Sequence, residues 1–152
     1  MLCCRIRYSK KGDKSMRKER SYGAVVYKKE NGEYLYLIEY MRLGHISLPK
    51  GHIEEGETPL ECTLREIREE TNLKVEVDMN FSHTITYSPK PDTIKDVTFF
   101  VAEAKSSDLV PQPEEVSSLA WMKKEDALKV LTFQSDKDTL VDADHYLNSH
   151  KK

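Results

Sequence analysis

Residues 48–73, LPKGHIEEGETPLECTLREIREETNL, decide the fold because their second half carries the signals of a helix. Thr58 is a favourable N-cap, Pro59 suits the first helical position, and Glu61 completes a capping box with Thr58. An apolar stripe at helical spacing comprises Leu60, Leu64, Ile67 and Thr71. The sequence therefore predicts an amphipathic helix that begins at Pro59.

Three glutamates, Glu66, Glu69 and Glu70, fall on another face of this helix. Like charges three and four residues apart repel each other and destabilise a helix. A cation is the natural missing partner, and hard divalent ions such as magnesium prefer oxygen ligands. The simpler alternative is an acidic helix face exposed to solvent.

A charged segment with two glycines, Lys50-Gly51-His52 and Glu55-Gly56-Glu57, precedes the helix. Glycine allows the backbone to approach a ligand closely. We therefore expect a ligand-binding loop here.

The stretch resembles the Nudix box, G-x5-E-x7-R-E-U-x-E-E-x-G-U, in which U is a bulky aliphatic residue. The matching positions are Gly51, Glu57, Arg65, Glu66, Ile67, Glu69, Glu70 and Leu73. Asn72 stands where the family has glycine, and asparagine is the residue next most tolerant of the left-handed cap conformation. By this resemblance the chain is identified as a member of the Nudix hydrolase family.

The composition fits one soluble domain, with 152 residues, 38% hydrophobic and 33% charged. A formal net charge of −2 argues against nucleic acid as a partner, except an RNA 5′ end. No apolar run is long enough to span a membrane, so no membrane partner is expected. The three cysteines, Cys3, Cys4 and Cys62, favour a reducing cytoplasm and do not form a zinc pattern. We expect a monomer or a homodimer.

We divide the chain into a basic, flexible leader at residues 1–19 and a Nudix domain at residues 20–150. The alternative for the leader is an arm that binds phosphate.

Two runs rich in β-forming residues predict strands at residues 21–28 and 33–40, joined by a hairpin turn at Asn31-Gly32. Both faces of the second run are largely apolar or aromatic, so we expect that strand to be covered on both sides. Further strands are predicted at residues 75–77, 83–87, 95–103 and 119–122, with a helix at 124–131. Ser135 is predicted to cap a last helix whose buried side comprises Leu140, Val141, Ala143 and Leu147. The simplest packing is an α/β/α sandwich with a mixed β-sheet between helices, which is also the fold that the resemblance implies.

The resemblance implies hydrolysis of a nucleoside diphosphate linked to another group, with Mg²⁺ as cofactor and Mn²⁺ as a possible substitute. It assigns the metal to Glu66, Glu69, Glu70 and the Gly51 carbonyl. It has Arg65 orient the carboxylates, while Glu57 steadies the loop or joins the metal cluster. One of the glutamates would be the general base, and the sequence leaves open which one.

The version PKGH-x-E-x-GE at residues 49–57 is similar to that of asymmetric diadenosine tetraphosphate hydrolases. By the same resemblance, His45, Lys50, Tyr87 and Phe133 bind substrate, and Lys95 and Glu115 act in catalysis beside Arg65, Glu69 and Glu70. Each has an ordinary alternative: surface lysines, loop packing for His45, core aromatics, and Glu114 in place of Glu115.

The leading hypothesis is asymmetric cleavage of diadenosine tetraphosphate, a small-molecule nucleotide, to ATP and AMP. The alternatives are a Nudix pyrophosphohydrolase acting on an RNA 5′ end, a nucleoside triphosphate or a diphosphoinositol phosphate. A catalytically inactive Nudix module that binds a nucleotide is a further alternative.

Overall fold

A computed structural model of the protein describes residues 5–6, for which only the backbone is considered, and residues 16–149. The strands are β1 (Arg5–Ile6), β2 (Met16–Glu30), β3 (Glu33–Met41), β4 (Ile46–Ser47), β5 (Lys50–His52), β6 (Val75–Tyr87), β7 (Thr93–Ala104) and β8 (Val116–Met122). The helices are α1 (Pro59–Thr71), α2 (Lys124–Val130) and α3 (Gln134–Ser149).

These strands form one mixed sheet with the order β4-β3-β2-β7-β6, in which β2 and β7 run parallel. Strands β1 and β5 pair with β2, and β8 pairs with β3, all antiparallel. Asn31 and Gly32, with φ of 52° and 81°, join β2 to β3. Two positive φ angles are what a tight hairpin turn requires, so the hairpin prediction is confirmed.

Helices cover both faces of the sheet. On one face, Ile67 and Leu73 pack with Ala24, Val26 and Leu37. On the other face, α2 and α3 bury a second cluster that includes Val25, Tyr36, Ile38, Leu131, Leu140, Ala143 and Leu147. Successive residues of β2 and β3 contribute to opposite clusters because strand side chains alternate between faces. The α/β/α sandwich is therefore confirmed, and β3 is covered on both sides as expected.

Several local predictions were wrong. The segment at residues 75–87 is one strand with a register shift between Asp78 and His83, not two strands. The Lys50-Gly51-His52 segment is a strand paired with β2, because its backbone bonds to residues 21–23, and not a loop. Ser135 lies inside α3, which begins at Gln134, and Val141 is 44% exposed.

The apolar stripe of α1 was also placed wrongly. Leu60 and Leu64 are 37% and 38% exposed, whereas Cys62, Thr63, Ile67, Glu70 and Thr71 are buried. The buried face is thus rotated from the leucine stripe toward the line of Cys62, Thr63, Ile67 and Glu70. This rotation turns Glu70 toward the sheet.

Strand β2 begins at Met16, so residues 16–19 of the leader continue into the sheet. Most of the leader, at residues 1–4 and 7–15 and including Cys3 and Cys4, lies outside the described residues. The division of the chain after residue 19 stays a prediction. Within residues 5–6 and 16–149, no helix is long and apolar enough to cross a membrane.

Candidate active site

Helix α1 positions most of the acidic residues, and its ends form as the sequence predicts. The Glu61 N–H donates to Thr58 Oγ1 at 3.1 Å, and the Thr58 N–H donates to Glu61 Oε1 at 3.0 Å. At the other end Asn72 adopts a left-handed conformation with φ of 69°, and its N–H donates to the Arg68 carbonyl. Asn72 therefore serves the cap role that glycine fills in many helices.

Arg65 connects the acidic side chains of the site. Its Nη1 lies 3.0 Å from Glu66 Oε2 and 3.2 Å from Glu69 Oε1. Its Nη2 donates to the His52 carbonyl at 2.9 Å and to Glu57 Oε1 at 3.0 Å, and its Nε donates to the other Glu57 oxygen. A planar guanidinium can bond several carboxylates at once because its donors have a fixed fork geometry. These contacts match the orienting role that the resemblance implies for Arg65.

Glu57 holds the segment before α1. Its Oε1 accepts the Glu54 N–H at 2.8 Å in addition to the Arg65 bonds. The Arg65 guanidinium, with the Glu54 N–H, lowers the pKa of Glu57 to about 2. Of the two roles expected for Glu57, steadying the loop matches these contacts.

Gly51 lies directly against the Glu66 carboxylate. A Cβ built on Gly51 would fall 2.0 Å from Glu66 Cδ and 2.1 and 2.2 Å from its two oxygens. Any side chain at position 51 would therefore displace Glu66. The absence of a Cβ, rather than freedom of φ, explains the glycine.

Glu70 is only 3% exposed and faces Glu39, which is 1% exposed on β3. Burial and the mutual proximity of the two carboxyls raise the pKa of Glu70, and burial raises the pKa of Glu39. Glu70 Oε1 and Glu39 Oε2 have no hydrogen-bond partner among the described residues. The alternative of an acidic helix face exposed to solvent is therefore wrong for Glu70, because the rotation of α1 buries it, whereas Glu69 has a side chain 49% exposed.

A polar cavity of about 400 Å³ brings most of the predicted site residues together. Its lining includes Lys50, Gly51, Arg65, Glu66, Glu69, Glu70, Lys95 and Glu115. Burial and the charge of Lys50 lower the pKa of Lys95, and Glu115 contributes to the raised pKa of Glu66. Glu115 lines this cavity and Glu114 does not. Two lysines and several carboxylates thus share one cleft.

A second, mostly apolar cavity of about 360 Å³ adjoins the first. It is lined by Ser47, Lys50, Ile85, Tyr87, Val97, Phe99, Phe133, Ser135 and Asp136. Lys50 lines both cavities. Tyr87 and Phe133 are 45% and 51% exposed, so neither is a core residue.

His45 lines neither cavity, but its ring lies 5.9 Å from the Phe133 ring, centroid to centroid. Burial and the charge of Lys50 lower the pKa of His45. A neutral imidazole can pack against the Phe133 ring, but it is a weaker partner for phosphate than a charged one. Direct contact of His45 with substrate stays a prediction.

Two buried acids of the site were missed by sequence reasoning. Glu39 sits in a strand that is buried on both faces, and a carboxylate in such a strand could have been recognised from the sequence as a buried acid. Asp136 was missed because the sequence predicted Ser135 as the N-cap of α3, whereas the helix begins at Gln134. Gln112, which also lines the polar cavity, carries no sequence signal that we can identify.

The donor set fits a divalent cation. The orphaned oxygens of Glu70 and Glu39 are buried acceptors that need a proton or a cation, and the Gly51 backbone lies against the Glu66 carboxylate. Within the described residues, no three His, Cys, Asp or Glu side chains already converge as a ligand group. The reason lies in the contacts above: Arg65 holds oxygens of Glu66 and Glu69, while Glu70 engages Glu39. Binding therefore requires these side chains to turn from one another toward the ion.

Comparison with known families matches the NUDIX domain over residues 17–143. The chain belongs to the Nudix family. Among its relatives are the asymmetrical bis(5′-nucleosyl)-tetraphosphatases of Mus musculus, 31% identical over 123 residues, and Caenorhabditis elegans, 29% identical over 119 residues. These alignments cover 77% and 75% of this chain and 82% and 86% of the relatives.

A solved structure of a C. elegans Ap4A hydrolase binary complex superposes with a TM-score of 0.78 at 23% identity. It covers 86% of this chain and 98% of that one. The Nudix domain of Shewanella oneidensis NrtR, solved with ADP ribose, superposes with a TM-score of 0.71 at 18% identity. Both show that the fold is the Nudix fold. The protein is a Nudix hydrolase with bis(5′-nucleosyl)-tetraphosphatases among its relatives.

Proposed function

We propose that this Nudix hydrolase is magnesium-dependent and cleaves diadenosine tetraphosphate asymmetrically to ATP and AMP. The observation that carries the proposal is the pair of adjoining cavities that share Lys50, one apolar and aromatic, the other acidic with two lysines. A dinucleoside polyphosphate has the same division into a flat apolar base and an anionic chain. The tetraphosphatase relatives support the same substrate class.

One adenine occupies the apolar cavity, between the rings of Tyr87 and Phe133 at its lining. Stacking of a base on an aromatic side chain contributes about 1–3 kcal/mol. Gripping a single adenosine makes the reaction asymmetric, because it fixes which phosphate reaches the acidic cavity.

The phosphate chain passes Lys50, which lines both cavities, and reaches Lys95. Lysine gives phosphate a compact point charge. The two ammonium groups lie close enough that Lys50 lowers the pKa of Lys95, and a polyanion relieves that repulsion. Charge that develops on the phosphoryl oxygens is stabilised in the same way.

The residues that would hold the ion are Glu66, Glu69, Glu70 and the Gly51 carbonyl. Mg²⁺, or Mn²⁺ in its place, when bound neutralises phosphate charge and lowers the pKa of a water ligand. Arg65 keeps Glu66 and Glu69 oriented toward the cleft through its 3.0 and 3.2 Å contacts. Glu69 and Glu115, both exposed to the cavity, are the candidate acceptors for the proton of the attacking water.

Hydrolysis in water labelled with heavy oxygen tests this proposal. The expected products are ATP and AMP, with label in only one of them, because one phosphorus is attacked. A panel of nucleoside triphosphates, ADP-ribose, capped and triphosphorylated RNA and diphosphoinositol phosphate is measured in parallel. Formation of two ADP molecules, or fast cleavage of another panel member with no turnover of diadenosine tetraphosphate, refutes it. The cytoplasmic location and the oligomeric state stay predictions.

A further inference from the structure

Asp136 is a buried carboxylate that the reaction above does not use. It lies in the first turn of α3, is 5% exposed, and lines the apolar cavity beside Tyr87 and Phe133. An acidic residue in a first helical turn normally faces solvent, where it complements the helix dipole. Its burial inside a cavity therefore needs another reason.

The Asp136 side chain makes no hydrogen bond and no ion pair with any residue that the structure describes, whereas its backbone N–H donates to the Phe133 carbonyl at 3.1 Å. Burial raises the pKa of Asp136, and the charge of Lys50, another lining residue of the cavity, acts against that rise through space. The carboxylate oxygens of Asp136 are not fully enclosed by protein atoms, and because Asp136 lines the cavity they are open to it. A buried polar group without a partner is costly, and such a group in a binding cavity points to a partner on the ligand.

The surroundings limit what that partner is. Ile85, Val97 and Phe99 form apolar walls, and Tyr87 and Phe133 offer aromatic faces. Asp136 and Tyr87 line the same cavity; burial raises the pKa of Tyr87, and the charge of Asp136 adds to that rise. A flat apolar ligand with hydrogen-bond donors at its edge matches this lining. Amino-substituted purines have that chemistry.

We infer that Asp136 is a base-reading residue whose carboxylate accepts hydrogen bonds from an amino group of a purine in the apolar cavity. The inference rests on the proposed function, because it takes this cavity to be the nucleobase site. It adds a specificity-determining residue that acts on the base and not on the phosphates. Loss of Asp136 should therefore change which base is bound.

Binding without turnover tests this directly. Dissociation constants are measured by calorimetry, without metal, for two matched pairs: AMP with purine riboside 5′-monophosphate, and GMP with IMP. The members of each pair differ in one amino group. We expect the wild-type protein to prefer the amino-bearing member of at least one pair by about tenfold, the size of one good hydrogen bond.

Asp136→Ala and Asp136→Leu should reduce that preference to about twofold or less. Leucine has the branched shape of aspartate without its acceptors, so it fills the same space and guards against a collapse caused by alanine. Asp138→Ala is the matched control: Asp138 is exposed in the same turn and accepts a hydrogen bond from Gln134 Nε2 at 3.0 Å. It should keep the wild-type preference. Urea unfolding checks that all four proteins fold.

No amino-group preference in the wild type, an unchanged preference in both Asp136 variants, or no binding of any of the four nucleotides overturns the inference. Turnover of diadenosine tetraphosphate is measured separately. If the preference depends on Asp136 but this substrate is not cleaved, the proposed function fails and the inference stands. If the substrate is cleaved without such a preference, the inference alone fails.

Discussion

Replacing Gly51 by alanine should separate activity from stability. The new Cβ would lie 2.0 Å from Glu66 Cδ, against an ordinary contact of at least 3.4 Å, so the carboxylate must retreat by about 3.4 − 2.0 = 1.4 Å. That movement breaks the 3.0 Å contact between Glu66 and Arg65. A displacement of about 1 Å in a catalytic group can cost about 100-fold in rate. We expect kcat to fall by about that factor.

The cost in stability should be smaller. Overpacking costs about 1–3 kcal/mol, and here the obstacle is the flexible end of a side chain, so we expect the lower end of that range. In Gly23→Ala, by contrast, the Cβ would meet the Pro49 carbonyl oxygen at 2.0 Å, and backbone cannot turn aside. That variant should lose about 3 kcal/mol or more.

Steady-state turnover and urea unfolding measure the two effects. In a Glu66→Ala background, Gly51→Ala should cost almost no stability, because the atoms it strikes are gone. Full turnover of Gly51→Ala with Glu66 present, or an equal loss of stability in both backgrounds, refutes the reasoning.

Four further outcomes are expected. Arg65→Lys should lower kcat about 100-fold, since one ammonium cannot hold Glu57, Glu66 and Glu69 together. Glu69→Gln and Glu70→Gln should each lower turnover by about 100-fold or more while the protein remains folded, as measured by kinetics and circular dichroism. Tyr87→Ala should raise the dissociation constant for substrate roughly 5- to 150-fold, corresponding to about 1–3 kcal/mol of stacking, with kcat little changed. Asp136→Asn should flatten the pH dependence of the free energy of unfolding. Burial raises the pKa of Asp136 from 3.8 to about 6, so the stabilisation that its carboxyl group provides is present below about pH 4 and is lost as pH rises through 6. This stabilisation is at most about 3 kcal/mol.

Matched controls separate these effects from general damage. Arg68→Lys, Glu55→Gln and Asp138→Asn change exposed residues of the same segments and should leave turnover and stability near the wild-type values. Equal losses of turnover in Arg65→Lys and Arg68→Lys contradict the claim that Arg65 holds the site glutamates together. Unchanged turnover in both Glu69→Gln and Glu70→Gln means that the metal site is misplaced. A stability difference between Asp136→Asn and wild type that is the same at pH 4 and pH 7 contradicts a raised pKa.

Local signals made α1 and the hairpin predictable. The capping box at Thr58, the cap at Asn72 and the Asn31-Gly32 turn each depend on residues a few positions apart. The spacing of the Nudix box likewise made it possible to predict Arg65 and the glutamates around it as site residues. Sequence near the site was therefore enough to find the acidic cleft.

Contacts between distant segments were not predictable in this way. The pairing of Glu70 with Glu39 joins a helix to a strand, and it depends on how α1 is rotated over the sheet. The leucine stripe predicted a different buried face of α1. Helical periodicity alone does not show that Cys62 and Thr63 are buried while Leu60 and Leu64 are partly exposed. Asp136 was missed because Ser135 and Asp138 have the spacing of a capping box, although Ser135 is already the second residue of α3.

The central claim is that two cavities sharing Lys50 divide one substrate between them. The most direct test is a crystal structure with Mg²⁺ and a non-hydrolysable analogue of diadenosine tetraphosphate. We expect one adenine between Tyr87 and Phe133, the phosphates beside Lys50, and the ion on Glu66 and Glu70. A base bound elsewhere, or a phosphate chain that does not enter the acidic cavity, would contradict the claim.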